Sequence, residues 1–155
     1  MQTLVVKMGE VQASREDATL ETFGVGSCVA IVLYDPQTKI GGMAHVMLTQ
    51  ERASDMQKTA HPLRFVEQAI PFLIKAVERL GAERSRLVAH VVGGAQMFQS
   101  YRDPSNAIGP KNTETTLQIL REAGIPVRTK ETGGTKGRNV HFDLATGTVN
   151  VNSKA

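Results

Sequence analysis

The chain has one cysteine, no tryptophan, and only 5% aromatic residues across its 155 positions. A single thiol, Cys28, excludes an internal disulfide and any zinc site built from several cysteines. No apolar stretch approaches the roughly 20 residues that a membrane-spanning helix needs. The longest candidates are VAIVLY and IPFLIKAV, and a lysine interrupts the second. The start, MQTLVVKMGE, has no basic run, long apolar core or small-residue cleavage site. A soluble, cytoplasmic protein without membrane insertion is expected. No charge of either sign accumulates in a long run, and the net charge is only +3. A basic footprint with stacking aromatics is missing, so nucleic-acid binding is not expected. The mild positive excess suits an acidic protein partner better.

What is present suits one domain spanning residues 1–155, with a core sufficient without staples. Apolar residues make up 41% and charged residues 21%, which is ordinary globular composition. Strands are expected at 2–7, 18–23, 29–34, 40–48, 86–92, 125–131, 138–143 and 148–152, and a polar surface loop at 49–60. Leu63, Val66, Ile70, Leu73, Val77 and Leu80 recur at helical spacing and predict one amphipathic helix over 62–80. Pro62 suits its first turn, Pro71 should kink or split it, and Gly81 should stop it. A second helix is expected over 110–123. Helices between β-rich ends, without regular βαβ alternation, predict an α+β fold with helices layered on mostly antiparallel sheet.

The thiol has chemical context. VAIVLY and GGMAHVML read as a hairpin closed by DPQTK. A two- or four-residue turn places Tyr34 opposite Lys39 and Cys28 opposite His45, with both side chains on one face. A three-residue loop would turn His45 to the other face. Paired this way, the imidazole can hold the thiolate as an ion pair, speed its alkylation below pH 7, and later protonate a leaving amine. Gly24 and Gly26 permit a sharp turn, and backbone N–H groups near Ser27 and Cys28 can form an oxyanion hole. Thr22, across the glycine turn, is placed to accept a hydrogen bond from the second ring nitrogen. The competing reading is a plain turn, a buried cysteine and a β-forming threonine.

Other features have simple readings. His61, His90 and His141 lack metal-ligand spacing, and His141 in VHFDL suits a half-buried strand. TGGTKGR lacks the pattern of a phosphate-binding loop. Ser27 suits a hydrogen bond in the turn. Lys130, Lys136 and Arg138 either meet an acidic surface or form a solvated loop.

TFGVGSCVAIVLYD followed by GGMAHVML resembles the catalytic segment of the CheD family of chemoreceptor glutamine deamidases. RFVEQAI, GGAQMF, NAIGPKN and ETGGTKGRNVHFDLATG follow in the family's order, so the resemblance covers about residues 4–151. It implies a Cys28–His45–Thr22 triad, with Gly26 and Ser27 at the substrate and oxyanion side. It implies hydrolysis of glutamine side chains on methyl-accepting chemotaxis receptors through a thioester, with no cofactor. A CheC-type phosphatase is the implied partner. The implied fold is similar to the catalytic domain of the cytotoxic necrotizing factor toxins. Phe65, Glu67 and Glu131 depart from the family's usual Tyr, Asp and Asp, and none touches the triad.

Overall fold

A computed structural model describes residues 2–50, 60–97 and 107–153. Most of the 49–60 loop, Phe98 of GGAQMF and Asn106 of NAIGPKN lie outside the described residues. The strands are β1 (Gln2–Val5), β2 (Val11–Ser14), β3 (Ala18–Val25), β4 (Val29–Asp35), β5 (Ile40–Val46), β6 (Val88–Gly93), β7 (Val127–Thr132), β8 (Arg138–Asp143) and β9 (Thr148–Ser153). The helices are α1 (Val66–Leu80) and α2 (Ile108–Glu122).

These elements form an α+β fold in three layers. A four-stranded sheet, β1-β3-β8-β9, faces a five-stranded sheet, β2-β5-β4-β6-β7. Both are mixed, since β1–β3 and β6–β7 pair in parallel while the other neighbours are antiparallel. The helices cover the other face of the five-stranded sheet. Alternation along the central strands explains the layering. Val29, Ile31 and Leu33 pack with Val66, Ile70, Leu73 and Val77 of α1. Ala30, Val32, Tyr34 and Met43 point the opposite way, toward Leu20, Val140 and Phe142 of the other sheet. Every residue of β4 and β5 is therefore buried.

Helix α1 begins at Val66, because Pro62–Arg64 form a separate short 3-10 turn and Phe65 is extended. It runs as one helix through Pro71, so of the expected kink or split the split does not occur. Six buried residues on one face hold it to the sheet, enough to offset the hydrogen bond that proline removes. Gly81, at φ 117°, ends it.

Candidate functional site

The hairpin register is set at its closed end. The loop is Pro36–Lys39, and Asp35 pairs with Ile40. The Lys39 N–H donates to the Asp35 carbonyl at 2.8 Å, with Lys39 at φ 61°. The buried Asp35 carboxylate accepts from the N–H groups of Gln37 (3.0 Å) and Glu83 (2.9 Å) and from Arg86 (2.9 Å). As a result Tyr34 faces Gly41, and Ala30 faces His45. The expected opposition of Cys28 to His45 and of Tyr34 to Lys39 is thus corrected by two residues. A two-residue shift preserves side-chain parity. Cys28 lies just before β4 and packs against the same inter-sheet cluster that Ala30 joins. The thiol and the imidazole therefore belong to one face, one pleat apart.

Thr22 reaches this face from the opposing sheet. A register shift interrupts the β3–β8 pairing between Thr22 and Val25, the kind of irregularity that re-aims side chains. Its Oγ1 lies 2.7 Å from His45 Nδ1 and 2.6 Å from the Val6 carbonyl oxygen. These contacts determine the imidazole tautomer. A carbonyl only accepts, so the single Thr22 hydroxyl proton goes to Val6. The Thr22 oxygen must then accept from Nδ1–H. Neutral His45 consequently carries its proton on Nδ1 and a lone pair on Nε2. That Nε2 is buried and has no hydrogen-bond partner among the described residues. The Val6 carbonyl was not legible in the sequence, because every residue carries the same carbonyl.

Burial sets the charge states. It pushes the Cys28 thiol pKa up, with only partial relief from the residue's own backbone N–H. It pushes His45 down to about 4. A thiolate–imidazolium pair needs both shifts in the opposite direction, so burial here favours a neutral thiol and a neutral base over the expected resting ion pair. The Cys28 sulfur lies 4.0 Å from the Met8 sulfur. Met8 and Met97 are both about half exposed, and Met97 covers the Cα of Gly26, where a β-carbon would sit 3.2 Å from its Cγ. Two thioethers thus flank the cysteine turn.

The turn itself is clamped through its backbone. The Ala95 N–H donates to the Gly26 carbonyl at 2.9 Å, and the Gly94 N–H to the Cys28 carbonyl at 2.7 Å. Gly93 is at φ 120°, and a β-carbon there would overlap the Cys28 carbonyl. The glycines of GGAQMF are needed for that approach. The 133–134 turn of TGGTKGR supports the same region, since the Gly133 N–H donates to Gly93 and the Gln96 N–H to Gly134. Arg138 turns inward toward the Gly93 carbonyl at 3.4 Å.

His90 and His141 have partners of their own. His90 shares a hydrogen with Thr129 at 2.8 Å, and His141 meets Glu21 at 2.9 Å with its ring against Phe23. No cluster among the described residues has three groups able to hold a metal ion.

Comparison with known proteins decides the family. Residues 47–153 match the family described as CheD, chemotactic sensory transduction. The chain belongs to the CheD family. A Pyrococcus horikoshii protein named "Probable chemoreceptor glutamine deamidase CheD" is 38% identical over 149 residues, covering 96% of this chain and 91% of the relative. A Methanococcus vannielii protein of the same name is 40% identical over 148 residues, covering 96% and 93%. One from Desulfitobacterium hafniense is 37% identical over 147 residues, covering 94% and 90%. Similarity to the Pyrococcus and Methanococcus relatives thus covers 96% of the chain and reaches beyond the 47–153 segment that the family model matches.

Proposed function

We propose that this chain is a chemoreceptor glutamine deamidase, with residues 1–155 forming one deamidase domain. The observation that carries the reading is the unpartnered Nε2 of His45, on the face that Cys28 shares, with its tautomer held by Thr22. The names of the CheD relatives supply the substrate class, receptor glutamine.

The chemistry proceeds from a neutral pair. As the thiol attacks the carboxamide carbon, His45 Nε2 takes its proton and the S–C bond forms. Backbone N–H groups at the 26–28 turn stabilise the oxygen that gains charge. The intermediate collapses, the C–N bond breaks, and His45 returns the proton to the departing ammonia. Water then attacks the thioester, giving up a proton to His45. Glutamate leaves, and the sulfur regains its proton. Thr22 orients the imidazole and transfers no proton.

No helix among the described residues is long and apolar enough to cross a membrane. The reading makes the chain a cytoplasmic partner of receptor signalling domains. It includes a CheC-type phosphatase as a second partner, for which the net charge of +3 favours an acidic surface. The layered fold and its Cys–His pair favour a likeness to the catalytic domain of the cytotoxic necrotizing factor toxins.

Peptide mapping of receptor cytoplasmic fragments after incubation tests the function. Deamidation adds about one dalton to a glutamine peptide, whereas methyl-ester hydrolysis removes about fourteen. An unchanged receptor that is nevertheless bound would leave only a docking module.

A further inference from the structure

The helix that packs behind the cysteine turn carries a polar side chain with no role in the chemistry above. Asn112 of α2 is fully buried. Its Nδ2 donates to the Ser27 carbonyl at 2.9 Å and to the Met47 carbonyl at 2.8 Å. Both acceptors are carbonyls, so the amide orientation is unambiguous. The first lies next to Cys28 in sequence, and the second lies two residues beyond His45. One side chain therefore ties the nucleophile's turn to the base's strand. Its own Oδ1 is buried without a partner among the described residues.

We propose that Asn112 is a positioning residue, whose amide orients the Ser27–Cys28 peptide so that the Cys28 N–H serves as an oxyanion donor. In a planar trans peptide the carbonyl and the following N–H point in opposite directions. Anchoring the Ser27 carbonyl on α2 therefore turns the Cys28 N–H away from the helix. That N–H is close enough to its own sulfur to favour the thiolate. With Gly26 and Cys28 bound through their carbonyls to Ala95 and Gly94, three successive carbonyls of the turn are anchored.

The packing of α2 is shaped for this contact. A β-carbon on Gly109 would overlap the Ala95 carbonyl, and one on Gly94 would overlap the Thr113 hydroxyl. Two glycines thus let the helix approach the turn closely enough for a short amide to span both carbonyls. Stability alone does not favour this choice, because asparagine is a modest helix former and its orphaned oxygen is unfavourable. A local rule broken at full burial beside a reactive group is the pattern expected of a functional constraint.

The proposal rests on the deamidase reading, and its test separates the two. The full chain is compared with Asn112→Ala and Asn112→Ser, each shown to be folded at the assay temperature. The substrate is a receptor cytoplasmic fragment. Loss of an oriented oxyanion donor predicts a fall in kcat of at least about thirtyfold, with KM within about twofold. A purely structural residue would lower the melting temperature and leave kcat per folded molecule within about threefold of the parent; that result overturns the proposal. The backbone 15N resonance of Cys28 supplies a readout independent of turnover. It shifts in the variants if Asn112 sets that peptide, and an unmoved resonance sinks the idea. If the parent protein leaves receptor glutamines unchanged, the deamidase reading falls while the resonance still decides the role of Asn112. If neither variant folds, NMR of the parent decides by the directly measured hydrogen-bond coupling between Asn112 Nδ2 and the Ser27 carbonyl, whose absence refutes the clamp.

Discussion

The two ends of the β4–β5 hairpin differ in how completely their polar groups are satisfied. At the loop end the Asp35 carboxylate is buried, and burial alone would raise its pKa. Arg86 first, then the N–H groups of Glu83 and Gln37, outweigh burial and hold it below the usual carboxylate range. At the open end His45 has one nitrogen bound and the other unpartnered, and nothing beside it offsets burial. The same two strands thus carry a fully compensated charge and an uncompensated base. The first kind of site stabilises, because every buried group is paired. The second retains a free lone pair, which is what a proton acceptor requires. The compensated end also sets the register on which the other end depends.

The contrast breaks most completely at the thiol. Cys28→Ala is expected to bring deamidation below detection while leaving the melting temperature nearly unchanged. Mass spectrometry of receptor peptides checks this, and survival of a tenth of the activity removes Cys28 from the nucleophile's role.

His45→Gln comes next, with an expected loss of about 10²–10⁴-fold in turnover. The pH dependence sharpens the assignment. The folded imidazole takes its proton near pH 4, against 6.5 ordinarily. The parent's kcat/KM should therefore hold from neutral pH well into the acid range and fall only as pH approaches 4. Stability carries the same signature. Between 6.5 and 4 the unfolded chain binds more protons, so the native state is fully favoured above pH 6.5. It loses about 3 kcal/mol as pH falls to about 4. Denaturant melts from pH 7 to 4 should show a shallower acid slope in His45→Gln. The slope should not vanish, since burial and Arg128 also depress His90.

Asp35→Asn attacks the other end. It leaves Arg86 without its hydrogen-bonded carboxylate and should lower the melting temperature by roughly 5–10 °C. Turnover per folded molecule should stay near that of the parent, and calorimetry with kinetics on the same sample checks both. A large kcat loss without destabilisation would show that the ends are not separable.

The smallest effect is expected at Thr22. One neutral hydrogen bond contributes about 0.5–1.5 kcal/mol, so Thr22→Ala should lose roughly two- to twelvefold in kcat with receptor affinity unchanged. Thr22→Ser keeps the hydroxyl that bridges Nδ1 to Val6 and should recover most of it. Equal defects in both variants would assign the role to methyl packing.

The strands that sequence periodicity foretold are mostly the ones observed, because alternation and β-branching are local signals. VQAS, residues 11–14, falls between the strands expected at 2–7 and 18–23. It is a short, half-buried strand that exists through its pairing with β5, and such partner-dependent strands have weak patterns of their own. The second sheet was hidden for a similar reason, since β3 lies between β1 and β8, a partner more than a hundred residues away. GGAQMF and NAIGPKN were visible as motifs, but their use as a glycine contact that seats Asn112 was not.

The sequence by itself determined that the only thiol follows a glycine turn, and that an even loop puts it on the same face as His45. Side-chain alternation is strictly local, so that parity survived a two-residue shift in register. Tertiary structure decided the rest. The four-residue Pro36–Lys39 loop, closed by the Lys39 N–H on the Asp35 carbonyl, set the register, and the Val6 carbonyl chose the tautomer by claiming the Thr22 proton. Burial in the packed fold disfavours the charged forms of both Cys28 and His45. Each of these outcomes depends on which groups are brought within about 3 Å of one another, or on how far water is excluded. Neither property belongs to a residue until the distant parts of the chain have packed around it.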